Sequence, residues 1–145
     1  MSDFYLSVGD QVRFSKTVSE SDVYLFAGIT GDLAPNHVDE EYMRATPYGR
    51  RIAHGALLVG FMSTGSTMMV ERHGGLAQGE TPVSVGYDRI RFTAPVFLGD
   101  TVTVTYTVAE VDPTRRRTRS KIEVSNQAGE IVAVAEHILK WVPKT

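Results

Sequence analysis

The stretch 56 to about 72 constrains the fold most. After Gly55 it carries apolar or small residues on nearly every helical face, from Ala56, Leu57 and Leu58 through Phe61 and Met62 to Met69 and Val70. A helix without a polar side is wrapped by the rest of its chain, not laid on a surface. Gly60, Ser63, Thr64, Gly65, Ser66 and Thr67 interrupt it, and it falls short of the roughly 20 residues of a bilayer span. It therefore reads as a buried core helix, closed by His73-Gly74-Gly75. From Val83 the apolar period becomes two. Val83, Val85 and Tyr87 share one phase and Ile90 and Phe92 the other, which a bulge near Asp88 reconciles. After the turn Leu98-Gly99-Asp100, Val102, Val104, Tyr106 and Val108 alternate with threonines. The segments 117–125 and 131–142 read as two further strands about the turn Asn126-Gln127-Ala128-Gly129. These four strands are expected to form a meander.

Ahead of the long helix, 11–17 alternates as a short strand through Val12 and Phe14. Ser19-Glu20-Ser21-Asp22 has the hydroxyl-then-acid spacing of a capping box, and predicts a helix through Val23, Phe26 and Ala27 that stops near Gly31. A second short helix, 40–45, takes Asp39 as its cap and ends at Thr46-Pro47. The predicted class is α+β, an antiparallel sheet wrapped around a long central helix in one domain over 1–145. A chain of 145 residues, 42% hydrophobic, supports one core and is too short for two. About five strands leave edges and a helix flank that a second copy would cover, so a homodimer or a higher oligomer of dimers is expected.

Fifteen basic against seventeen acidic residues give a net charge of -2, so neither nucleic acid nor a membrane is an expected partner. With no cysteine there is no disulfide, thiol nucleophile or Cys-based zinc site, which suits the cytoplasm. Met1-Ser2-Asp3-Phe4 shows no export signal.

Chemistry concentrates between the two short helices, where Asp32 and His37 stand five positions apart across Pro35 in expected loop backbone. Separately, the acid solvates a helix end and the imidazole bonds to backbone. Together they can hold one water and pass its protons. At His54-Gly55 the first-turn N–H groups, with the positive helix end behind them, suit an oxygen acquiring negative charge. Gly55 lets a ligand approach the backbone closely. Asn36, His54 and Ser63 are substrate-binding candidates, weighed against a loop residue, a polar spacer and a small residue packed on the sheet. Tyr42, Met43, Tyr48, Phe61 and Met62 line a tunnel or belong to the core. Arg115-Arg116-Arg117 sits at a turn, either solvated or facing the phosphates of a long cofactor arm. His37, Asp39 and His54 lack helical ligand spacing, so no metal is expected.

Phe26-Ala27, Gly31-Asp32, Pro35 and His37-Val38-Asp39, then Ile52-Ala53-His54-Gly55, and later Arg91-Phe92-Thr93-Ala94-Pro95-Val96-Phe97-Leu98-Gly99-Asp100, resemble the MaoC-like, (R)-specific enoyl-CoA hydratase family of hotdog proteins. The resemblance covers nearly the whole chain. It implies a hotdog dimer in which Asp32 and His37 activate a water that adds to a trans-2-enoyl thioester, of coenzyme A or acyl carrier protein, giving a 3-hydroxyacyl thioester, usually (R), or the reverse dehydration. It implies the Gly55 N–H as oxyanion donor, Ser63 as the helical serine, and no cofactor apart from the coenzyme A of the substrate. Where the family commonly has asparagine two positions after the aspartate, this chain has Ala34, with Asn36 nearby. Two other readings stay open: thioester hydrolysis, which hotdog proteins also host, and a non-catalytic thioester-binding module, motivated by Ala34.

Overall fold

A computed structural model describes residues 4–74, 76 and 79–145. Gly75 of the expected helix stop, and Met1, Ser2 and Asp3, lie outside the described residues. The chain runs β1 (Gln11–Thr17), α1 (Glu20–Thr30), α2 (Pro35–Val38), α3 (Glu40–Arg44), α4 (Gly55–Arg72), β2 (Glu80–Phe92), β3 (Thr101–Asp112), β4 (Arg117–Ser125) and β5 (Ile131–Pro143).

Local chemistry sets these bounds. Ser19 Oγ accepts from the Asp22 N–H, the Asp22 carboxylate accepts from the Ser19 N–H, and α1 closes at Gly31, whose φ of 80° is left-handed. The Asp39 side chain accepts from the Tyr42 N–H and so caps α3. One expectation changes: the Asp32 to His37 segment is not all loop, because Pro35 opens the single turn α2, which carries Asn36 and His37. Proline suits a first helical position, where its missing N–H is no loss.

All strand pairs are antiparallel, in the order β1-β3-β4-β5-β2. β3, β4 and β5 form the expected meander, but β2 does not join it beside β3. It pairs with the far side of β5, with Tyr87 opposite His137. The connection 93–100 explains the difference, since it is held by the segment preceding α4 and cannot close a tight hairpin: the Ala53 N–H donates to the Val96 carbonyl at 2.7 Å, and Ile52 bridges Phe97. The bulge expected near Asp88 is present as a register shift between Asp88 and Arg91, with Arg89 at φ 52°.

Helix α4 lies on the inner face of this sheet. Leu57, Leu58, Met62, Met69 and Val70 are buried, as are Val102, Val104, Tyr106 and Val108 of β3. Gly65 allows the close approach, since a Cβ there would already sit 3.4 Å from Tyr106 and Val104. The wrapping is one-sided, though. Ala56, Gly60, Ser63, Thr64 and Thr67 are exposed, beside the edge strand β2 with its exposed Val83, Val85 and Phe92. A five-stranded sheet can curl round only part of a helix, so the remaining small-residue flank stays uncovered within one chain. No described helix is long and apolar enough to cross a membrane.

In the basic turn 115–117, Arg115 and Arg117 stay exposed while Arg116 is half-buried. Arg116 turns inward to Glu80 and the Tyr5 hydroxyl, and Arg115 pairs with Asp112.

Candidate active site

Three segments meet at the N-terminal end of α4. Gly31 turns the chain out of α1 and leaves Asp32 exposed, its Oδ1 accepting from the Ala34 N–H at 3.3 Å. The turn α2 then swings His37 inward to 7% exposure. His37 Nδ1 donates to the Ile52 carbonyl at 2.8 Å, and the Ile52 N–H donates back to the Asn36 carbonyl at 3.0 Å, so α2 is tied to the segment that leads into α4. Because Nδ1 carries the proton, Nε2 keeps its lone pair and can act as a base. Burial holds the His37 imidazole below its ordinary pKa; His54 adds to that, while the Ile52 carbonyl and Asp32 oppose it. The ring is therefore neutral near pH 7.

His54 stands behind this pair. It is 1% exposed, its Nε2 donates to the Asp32 carbonyl at 3.0 Å, and its ring stacks on His37 with centroids 3.7 Å apart and an interplanar angle of 26°. The Asp32 carboxylate and one nitrogen from each imidazole lie within 4.8 Å of one another. That spacing lets one water bridge Asp32 and His37. By donor type the trio also suits a transition-metal ion. Both ring N–H groups, however, are committed to backbone carbonyls, and the remaining lone pair of His54, on Nδ1, is sealed from solvent.

A cavity of about 410 Å³ opens in front of His37, walled by Asn36, Tyr48, Gly55, Leu58, Phe92 and Pro95 among others. Gly55 is the first residue of α4, capped by no side chain. Its N–H has no partner inside the helix and lies at the positive end of the helix dipole. The Phe92 ring lies against the Gly55 Cα, so that a Cβ there would stand 2.6 Å from that ring. The arrangement can thus hold a water on one side of a planar ligand and offer a hydrogen-bond donor to an oxygen on the other.

Of the residues singled out by sequence, His37, Gly55 and Asn36 share the cavity wall, with Asp32 beside His37. His54 lies behind His37, not on the wall. Ser63 sits two turns along α4, exposed and beside the Tyr87 phenol, away from the cavity. Ala34 gives its backbone N–H to Asp32, while Asn36 two residues later stands in the cavity wall. Of the five tunnel candidates only Tyr48 reaches the wall; Met43 and Met62 are core. The role of Phe92 was invisible to strand phasing. Its only signal was its place at the head of the Phe92-Thr93-Ala94-Pro95 run.

The family described as MaoC like domain matches residues 4–131. An (R)-specific enoyl-CoA hydratase of Rhodospirillum rubrum is 39% identical over 74% of this chain and 69% of its own length. A 3-hydroxybutyryl-CoA dehydratase of Methylorubrum extorquens is 38% identical over 96% of this chain and 82% of its own. Among solved structures, an (R)-hydratase from A. caviae superposes with a TM-score of 0.79 at 27% identity, covering 93% of this chain and 96% of that one.

Proposed function

The chain belongs to the MaoC-like family of hotdog proteins, and from that premise we propose that it adds water to trans-2-enoyl thioesters, or removes it in reverse, using Asp32 and His37 as the acid/base pair. The observation that supports this reading most is the convergence of the Asp32 carboxylate and the His37 imidazole within 4.8 Å, next to a cavity that also presents the Gly55 N–H. In hydration the water oxygen bonds to C3 of the enoyl chain, and the π electrons move to the thioester oxygen. The pair takes one proton from the water and returns one at C2, so H and OH are added with no redox change. Negative charge grows on the thioester oxygen, where a preorganised N–H at the head of α4 stabilises it more in the transition state than in the ground state. Such a step asks for no cofactor beyond the coenzyme A or carrier-protein arm of the substrate. The expected product is the (R)-3-hydroxyacyl thioester.

The exposed α4 flank and the β2 edge support assembly as a homodimer or an oligomer of dimers, which would cover both. A chain without cysteine suits the reducing cytoplasm.

A panel of trans-2-enoyl-CoA substrates of varied length tests the reaction. Loss of the conjugated enoyl absorbance without release of free thiol, with chiral analysis giving the (R) alcohol, is the expected result. Thiol release from saturated acyl-CoA would reassign the protein to hydrolysis, and tight binding without product would make it a carrier.

Two further outcomes follow from the geometry. As pH falls, kcat/KM should decline when His37 takes up a proton, and because burial lowers its pKa the acid limb should fall below the ordinary imidazole value of about 6.5. A limb centred above that value would contradict a neutral, buried base. Gly55→Ala should lower kcat/KM about tenfold, equivalent to about 1.4 kcal/mol. The new methyl pushes the half-exposed Phe92 ring into the ligand's approach. Adding Phe92→Ala should restore part of the loss; strict additivity of the two substitutions would show that the ring is not involved.

A further inference from the structure

Histidine is an odd choice for a purely structural residue at position 54. The side chain is 1% exposed, yet among the described residues its Nδ1 has no hydrogen-bond partner, and an unmet buried acceptor costs about 1–3 kcal/mol. Nor does it cap the helix it precedes, since His54 makes no side-chain bond to the free N–H groups of α4. What the ring does do is touch both members of the acid/base pair. Its Nε2–H holds the Asp32 carbonyl at 3.0 Å, across 22 residues of sequence, and its face lies 3.7 Å from the face of His37. Both members need such a hold. Asp32 follows a left-handed glycine in exposed chain, and among the described residues its side chain takes one bond, the local one from Ala34. His37 is fixed at Nδ1 by Ile52, but one hydrogen bond leaves its ring free to tilt about that axis. Phe26 packs against His54 at 4.8 Å and ties the assembly back to α1.

We propose that His54 is the positioning residue of the pair, setting the spacing between the Asp32 carboxylate and His37 Nε2 by holding one through its edge and the other through its face. The inference rests on Asp32 and His37 being the hydration pair. A misplacement of about 1 Å in such a constellation can lower the rate about 10²-fold, which sets the expected scale.

Three substitutions separate the two contacts. His54→Gln keeps an N–H donor for the Asp32 carbonyl and loses the ring. His54→Phe keeps the ring and loses the donor. His54→Ala loses both. With crotonyl-CoA as the probe substrate, His54→Ala should lower kcat about 10²-fold with KM within about twofold. His54→Gln and His54→Phe should each retain severalfold more kcat than His54→Ala, and the ¹⁵N shifts of His37 should show the Nδ1–H form less populated in His54→Ala than in wild type. A purely structural residue would lower the melting temperature and leave kcat per folded molecule unchanged; that outcome overturns the proposal. A loss confined to KM also overturns it, in favour of direct substrate contact. If His54→Ala does not fold, wild-type kcat in both His54→Gln and His54→Phe is the refuting result. Asp32→Asn run alongside tells the two readings apart. If Asp32→Asn is inactive while the His54 variants match wild type, the positioning role alone falls. If Asp32→Asn also matches wild type, the pair itself is misassigned and this inference falls with it.

Discussion

Asp32→Asn should lower kcat for enoyl thioester hydration by about 10²–10⁴-fold, the range a positioned acid/base group contributes, while the melting temperature moves by only about 2 °C. The small stability change follows from exposure. The Asp32 side chain accepts a single bond from the Ala34 N–H at 3.3 Å and lies in solvent, and substitutions at such sites usually stay within about 0.5 kcal/mol. Asparagine keeps the shape and that acceptor but cannot take or give the proton. His37→Ala should show a kinetic loss of the same size together with a stability loss of about 1 kcal/mol, because it removes the bond that Nδ1 donates at 2.8 Å to the half-buried Ile52 carbonyl. Since the two groups act on one water, the double variant should be little worse than either single one. Steady-state kinetics and thermal melts on the three proteins measure this. Wild-type kcat in Asp32→Asn, or fully multiplicative losses in the double variant, would refute a shared water.

The other large effect concerns a histidine with no part in the reaction. His137 on β5 is wholly buried, with Nδ1 on the Tyr106 hydroxyl and Nε2 on Ser84 Oγ, each at 2.7 Å, and its ring stacked on Tyr87 with centroids 4.3 Å apart. Burial pushes its pKa down to about 4. An unfolded chain would protonate this ring near 6.5, so between those values the unfolded state binds a proton that the folded state refuses. Its contribution is complete above about pH 6.5 and is lost as pH falls towards 4, by a total on the order of 3 kcal/mol. Urea denaturation at several pH values between 7 and 4.5 should show this decline in wild type and a shallower one in His137→Gln. The buried His37 titrates in the same direction, so the difference between the two proteins, not the wild-type slope, reports His137. Parallel curves would show that the native ring takes up its proton as readily as the unfolded one, against a dry, shielded site.

Sequence alone placed most of the elements, because their ends rest on interactions between near neighbours. Ser19 with Asp22, Gly31 in a left-handed turn, Asp39 ahead of Tyr42 and the Val/Thr alternation of β3 are each decided within a few residues. The site was legible for the same reason in part: Asp32, Pro35 and His37 lie close in sequence, and α2 brings the last of them round in a single turn. Less was visible where partners are far apart in the chain. Nothing local tells β2 to pair with β5 and not with β3, since that choice depends on where the 93–100 connection is held by Ile52 and Ala53. Nor does a run of small residues in α4 say which flank one chain's sheet will leave bare.

The sequence by itself determined the class of elements, the glycine that opens α4 and the residue types able to move a proton, because composition and short-range spacing already specify these. The tertiary structure decided that His54 faces the pair from behind and not the ligand, that Phe92 lies against Gly55, and that His137 sits dry between Ser84 and Tyr106. Those outcomes depend on contacts between residues 17 to 53 positions apart, and such contacts exist only once the sheet has curled and α4 has docked on it.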